Sequence, residues 1–359
     1  MTNDKYVGLD VHQASTSIAV IDGNGRSVAE GVVRTSADAI RDFISGLSGT
    51  VHVTLEEGTQ AAWLYEIIKP LVAEVVVCDP RQNKVLAVGN KGDRVDANKL
   101  AQLLRSGLLK SVYHNNQHTK TLKQLAHNYG SIMGDCTRVM NRIKAVYRGQ
   151  AIACSGRDVY YKRNRDQWLA KLKEPGLRTR AQFLFDEFDT LKALRRAAKN
   201  VLLREARSYE AFKLLSKIPT LGPIRVAQII AAVGSPHRFR TRRQFWAYCG
   251  LAVVTRSTDD YRFNENGALR RTRPPATRGL NRNFNRKLKH VFKSAALDGI
   301  KRDPFKSFYQ ARVTAGIRPE MARLTLARKI ANLTLTLWKK GDQFDEHRMR
   351  EHQTFSAGS

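Results

Sequence analysis

Before residue 116 the chain alternates between two hydrophobic periods, and few architectures accept that alternation. "KYVGLDVH" (5–12) reads as a buried strand, and "TSIAVID" as its hairpin partner across a short polar turn. "GNGRSVAEGVVRT" supplies a turn and a third strand. "SADAIRDFISGL" then takes helical spacing, with Ser36 placed to cap its N-terminus. A strand "VHVTLEE", a helix "AAWLYEIIKPLV", a strand "AEVVVCDP" and a helix "DRVDANKLAQLLRSG" ending at a glycine follow. A β-rich start continued as αβαβα predicts an α/β domain, a mixed sheet with helices on its faces.

From about residue 117 the pattern becomes mainly α-helical and basic. Leu122, Leu125, Tyr129, Ile132, Val139 and Ile143 recur at near-helical intervals, with Lys120, Lys123, Arg138, Arg142 and Lys144 on the other faces. Leu184, Phe188, Leu191, Ala198 and Leu202 come close to a heptad seam. That seam fits a helix pair within the chain or a dimerising coiled coil. "LLSKIPTLGPIRVAQIIAAVG" has the form of a helix-hairpin-helix, whose turn can offer backbone N–H groups to a phosphate; a plain helical hairpin is the other reading.

The 62 Lys and Arg against 32 Asp and Glu give a net charge of +30. Such a chain repels itself unless it meets a polyanion, and nucleic acid is the usual one. No apolar run is long enough to span a bilayer, the start lacks the pattern of a signal peptide, and the four scattered cysteines form no CxxC pair. The expectation is a cytoplasmic nucleic-acid protein with no membrane partner and no zinc finger. From Gly267 to Lys293 there are nine bases and no acid. Arg270, Arg271, Arg273, Arg278, Arg282, Arg286, Lys287 and Lys289 are therefore candidates for a phosphate-tracking surface, rather than a merely solvated face.

Against that background four acids stand where acids are costly. Asp10 lies inside an apolar strand, where an unpaired buried carboxylate is strongly disfavoured or stays protonated. Glu56 closes the strand "VHVTLE" and shares a face with His52 and Thr54. Asp93 and Asp96 sit three apart on one face of a helix's first turn, where the helix dipole alone is one explanation of them. All four converging at a sheet edge would suit hard divalent cations, Mg²⁺ in particular, as one or two ions clamping a phosphodiester. Lys91 and Arg94 are local bases that would hold nucleic acid beside them.

"GLDVHQ", "LEEGTQAAWLYE" and "DPRQNKVLAVGNKGDRVDANKLAQLL" together resemble the ribonuclease-H-like (RuvC-type) DEDD domain of the insertion-sequence-110 family of transposases. "LSKIPTLGPIRVAQIIAAVGSPHRFRTRRQFWAYCGLAVVTRSTDDY" resembles the family's second domain. The resemblance implies a RuvC-like catalytic domain over 1–115 with Asp10, Glu56, Asp93 and Asp96 as its metal-holding acids. It further implies a helical, coiled-coil region over 116–210 for RNA binding and oligomerisation, a C-terminal transposase domain over 211–345, and a polar tail over 346–359.

The family's second domain carries a serine a few residues beyond the "GL" that ends a helix. Here "CGLAVVTRSTDDY" makes Ser257 the candidate, with Thr258 in the adjacent register. The resemblance implies that this hydroxyl attacks a DNA phosphate to form a covalent phosphoserine, with the metal site acting on the same step. It also implies a structured non-coding guide RNA that pairs with donor and target DNA, a homodimer or homotetramer, and action at the nucleoid. Two other readings remain open from the residues: a metal-dependent Holliday-junction-type nuclease in which Ser257 is structural, and a non-enzymatic nucleic-acid-binding protein.

Overall fold

The computed structural model describes residues 3–81, 92–114, 117–256, 261–271 and 276–346. The chain divides into two compact units, Met1–Asn116 and Gln117–Ser359. No described helix is long and apolar enough to cross a membrane.

The first unit is built on strands β1 (Asp4–Val11), β2 (Ser15–Asp22), β3 (Ser27–Arg34), β4 (Thr50–Glu56) and β5 (Glu74–Cys78). They form a mixed sheet in the order β3-β2-β1-β4-β5. The three N-terminal strands pair antiparallel through short turns, while β4 and β5 add in parallel. Parallel neighbours need a crossover, and α1 (Ala37–Ser45) and α2 (Ala61–Ile68) lie in these connections. Ser36 caps α1 as expected, its Oγ accepting from Ala39 N at 3.4 Å. α2 stops at Ile68, just short of Pro70, whose ring disfavours helix in the residue before it.

Alternation along β1 assigns the two sheet faces. Val7 and Leu9 join Ile18, Val20, Val53 and Leu55 in a core with Ile40 and Ile44 of α1 and Leu64 and Ile68 of α2. Gly8 points the other way, toward α3 (Asp93–Arg105). A Cβ on Gly8 would lie 2.0 Å from Ala97 O and 2.7 Å from Ala101 N. Only glycine lets the backbone of α3 sit this close to the strand. Leu100 and Leu104 of α3 are buried, and Gly107, with φ +65°, breaks the chain direction after the helix.

The second unit begins with α4 (Lys120–Arg148), followed by α5 (Arg165–Ala170) and α6 (Pro175–Ala206). The long helices α4 and α6 pack on each other within the chain, which is the first of the two arrangements the heptad-like seam allowed. Val139, Ile143 and Tyr147 of α4 share a core with Ala181, Leu184, Phe185 and Phe188 of α6. The opposite ends, Leu122 and Ala126 with Leu202 and Ala206, enter a second core. That core is filled by α7 (Glu210–Leu215), α8 (Pro223–Val233), α9 (Arg242–Tyr248), α10 (Arg286–Gly299), α11 (Phe305–Thr314) and α12 (Pro319–Lys340). The first arm of the expected helical hairpin is thus only six residues, α7. Its turn is closed by Arg225 Nη1 donating to Thr220 O at 2.7 Å. α9 opens on a reciprocal capping box between Thr241 and Gln244.

Between α9 and α10 are four short strands, β6 (Val253–Arg256), β7 (Tyr261–Phe263), β8 (Leu269–Arg271) and β9 (Ala276–Leu280). They pair as two ribbons, β6 with β9 and β7 with β8. Part of the basic run therefore lies in strands β8 and β9.

Candidate functional site

Asp10 stands on the Gly8 face of β1, two residues nearer the end of the strand. Because Gly8 admits α3 so closely, the start of that helix falls near Asp10. His12, just beyond β1, reaches both acids: its Nε2 lies 3.4 Å from Asp10 Oδ2 and 3.5 Å from Asp93 Oδ2. One possible ligand atom from each of Asp10, His12 and Asp93 lies within 4.8 Å of the other two. Asp10 is not the fully buried acid that its strand position implied, since its side chain is 26% exposed and faces His12. Burial nevertheless pushes its carboxyl above the ordinary range. His12 opposes this, and the charges of Asp93 and Asp96 add to it.

Asp96 is one turn into α3. Its Oδ1 is buried and accepts no hydrogen bond, with Lys99 Nζ 3.5 Å away. Glu56 ends β4. Leu9 pairs with Leu55 in the parallel register, so Asp10 and Glu56 occupy the next position on adjacent strands and share a sheet face. Neither Asp96 nor Glu56 belongs to the tightest set of three, but each flanks it from a neighbouring turn or strand. The next residue, Glu57, hydrogen-bonds His114 instead.

The helix dipole accounts for acids in the first turn of α3. It does not account for a third carboxylate on the facing strand, where the charges of Asp93 and Asp96 add to the cost of ionising Asp10. A bound cation removes that cost. The buried oxygen of Asp96, which faces Lys99 but accepts no hydrogen bond, and the oxygen-rich donor set fit a hard divalent ion. His12 was not among the acids singled out from sequence. Its signal was its place two residues after Asp10, the period of a strand face.

Ser257 and Thr258 lie outside the described residues, between the end of β6 and the start of β7. Lys91 and Arg273 are also outside them. Arg271 belongs to β8 and Arg278 to β9, while Arg270, Arg282, Arg286 and Lys287 are exposed. Lys289 is half-buried, with Nζ 4.1 Å above the Phe284 ring, and burial together with nearby Lys293 lowers its affinity for a proton. Gly250, at φ +68°, makes room for this packing, as a Cβ there would lie 2.6 Å from the Phe284 ring.

Residues 7–149 match a family model described as a transposase, the DEDD domain of the IS110 type, and residues 212–310 match that of the "Transposase IS116/IS110/IS902 family". A Sinorhizobium fredii (strain NBRC 101917 / NGR234) protein bearing the name "Putative transposase y4qE" is 27% identical over 273 residues, 72% of this chain and 65% of that protein. The "Transposase for insertion sequence element IS1533" of Leptospira borgpetersenii is 32% identical over 114 residues, 30% of this chain and 32% of that protein. The chain thus spans under two thirds of the length of either relative. With both domain models matched in order along most of its length, the chain belongs to the insertion-sequence-110 family of transposases.

Proposed function

We propose that the protein is a DNA recombinase that moves an insertion sequence, and that the cluster around Asp10 is its metal-holding site. The observation that carries this reading is the approach of Asp10 and Asp93 to a common histidine, beside a buried Asp96 oxygen that accepts no hydrogen bond. Asp10, Asp93, Asp96 and Glu56 are the residues to hold one or two Mg²⁺ ions, with His12 a further donor. Such ions supply Lewis-acidic stabilisation of a phosphodiester's charge. The protein's own part at this site is to fix the carboxylates. β1 and β4 hold two of them in register, and the close seat of α3 on Gly8 presents the others.

In the C-terminal half, Ser257 is the nucleophile of this reading, with Thr258 the adjacent alternative. Its Oγ forms a bond to phosphorus as a sugar oxygen leaves, and its proton passes to a base while the leaving oxygen gains one. A second strand's hydroxyl then reverses the exchange. One P–O bond is made for each one broken, so no nucleotide triphosphate is required. The excess of bases supports large polyanionic partners: donor and target DNA, and a structured guide RNA that selects them by pairing. The reading also includes a homodimer or homotetramer acting in the cytoplasm at the nucleoid.

The test is strand exchange between donor and target DNA with the element's own non-coding RNA present, analysed on denaturing gels. Wild-type protein should yield recombinant strands and a protein–DNA adduct. Ser257→Ala should yield neither, and Asp10→Asn should lose strand exchange. A fully active Ser257→Ala protein would defeat the covalent route and favour hydrolysis by water. Unchanged activity in Asp10→Asn would defeat the proposed metal site.

A further inference from the structure

A cleft of about 470 Å³ opens within the second unit between α4, α8 and α10. Its wall on α4 is unusual for a helix interior. Gly130, Ser131 and Gly134 fall within one turn of a 29-residue helix. Each glycine costs about 1 kcal/mol against alanine there, and no turn or positive φ requires either. They leave the α4 wall of the cleft bare at two positions where a Cβ would make only ordinary contacts. A Cβ on Gly130 would lie 3.9 Å from Lys287 Nζ, and one on Gly134 would lie 3.7 Å from Arg138 Nη1.

Into the cleft the molecule turns donors. Arg286 and Lys287 come from the first turn of α10, His290 from its second turn, Gln228 from α8, and His127 and Arg138 from α4. No acid lines the cleft among the described residues. Arg138 pairs with Asp135 on its own helix, but Arg286 and Lys287 have no acidic partner among the described residues. Lys287 Nζ finds only an imidazole, His127 Nδ1 at 3.3 Å. Burial, and then the neighbouring charge of Lys123, depresses its affinity for a proton. Cations gathered from separate elements beside two glycines, with Asp135 answering Arg138 alone among the described residues, are a seat prepared for an external anion.

We infer that this cleft binds the phosphodiester backbone of a nucleic-acid strand, with Arg286 and Lys287 as principal contacts and Arg138, His127 and Ser131 completing the seat. The inference rests on the nucleic-acid reading above and adds to it a defined site, whose walls on α4 and α8 lie outside the basic run of 267–293. RNA and DNA share this backbone chemistry, so the experiment separates them.

Full-length protein is titrated into fluorescently labelled single-stranded RNA and DNA of one sequence, and anisotropy is followed over a range of salt. Loss of two phosphate contacts in the pair Arg286→Gln, Lys287→Gln should reduce the slope of log affinity against log salt by about 1.4. Affinity at physiological salt should fall about tenfold. Ser131→Trp, which fills the cleft without altering charge, should also weaken binding. The control pair Lys301→Gln, Arg302→Gln, exposed just after α10, should do much less. An effect confined to RNA assigns the seat to the guide, an effect confined to DNA assigns it to donor or target, and equal effects assign it to either backbone. The inference is overturned if the cleft variants, folded by circular dichroism, bind like wild type, or if the control pair matches their effect. Wild-type protein that binds neither nucleic acid would sink the proposed function as well, which the variants alone would not.

Discussion

Gly8 and Asp10 stand on the same face of β1, and the first decides where the second's partners lie. With α3 seated on the Gly8 backbone, Gly8→Ala must push the helix away or bend the strand. The expected cost is about 3 kcal/mol in urea unfolding, the upper part of the usual overpacking range. The same shift should weaken Mn²⁺ binding, used as a spectroscopic stand-in for Mg²⁺. A Gly8→Ala protein as stable as wild type would contradict the close approach. His12→Ala tests a different point, since it leaves packing alone. Metal affinity should fall about tenfold or more, as for removal of a ligand or its orienting partner, with the melting temperature unchanged. Asp10 and Glu56 stood out in the sequence because a carboxylate in or closing an apolar strand demands a reason, and Asp93 and Asp96 because they share one face of a helix's first turn. His12 did not, because a lone histidine at a strand end has many ordinary explanations and only the fold shows it between two aspartates.

Among the helices, α5 and α6 are joined by an ion pair that the stretch "YYKRNRDQW" conceals. Arg165 is one of three bases in that stretch. In the fold its side chain is only 10% exposed, with Nη2 2.8 Å from Asp189 Oδ2 and the guanidinium above the Phe185 ring. Burial by itself would raise the Asp189 carboxyl, but the hydrogen bond and charge of Arg165, with Lys192, bring it below its ordinary value of 3.8. Its folded value lies under its unfolded one, so the pair's contribution is complete above pH 3.8 and fades as pH falls through the folded value. Asp189→Asn should therefore cost about 2 kcal/mol at neutral pH. That is less than for a fully buried pair because Asp189 is partly open to water. The gap from wild type should close in acid, as followed by urea unfolding at a series of pH values; a gap constant down to strong acid would assign the loss to packing instead. α4 and α6 themselves were readable from their apolar period, which is a local signal. β6 to β9 were not, since strands of three to five residues carry little periodicity, and β6 finds β9 only across an intervening ribbon.

At the scale of the molecule, the first unit holds a complete core. Val7, Leu9, Ile18, Val20, Val53 and Leu55 are covered by helices from the same unit. Its length also falls in the range where one core suffices. The α/β architecture was readable because strands and helices alternate along the chain, but the closing of the β5 edge was not. There Cys78 bridges Ser111, and Val112 N donates to Val77 O at 2.6 Å, so a segment with no strand pattern covers backbone groups that would otherwise face outward. Residues 1–116 made alone should unfold in one cooperative transition and retain divalent-metal binding, because every carboxylate of the proposed site lies within them. Residues 1–105 keep the same acids and apolar core but lose the covering segment. Their open β5 edge should pair with other copies, giving higher-order species on size-exclusion chromatography at concentrations where 1–116 is monomeric. If the two fragments elute alike, the segment after α3 does not guard the edge. If 1–116 fails to fold at all, the first unit depends on the rest of the chain for its stability.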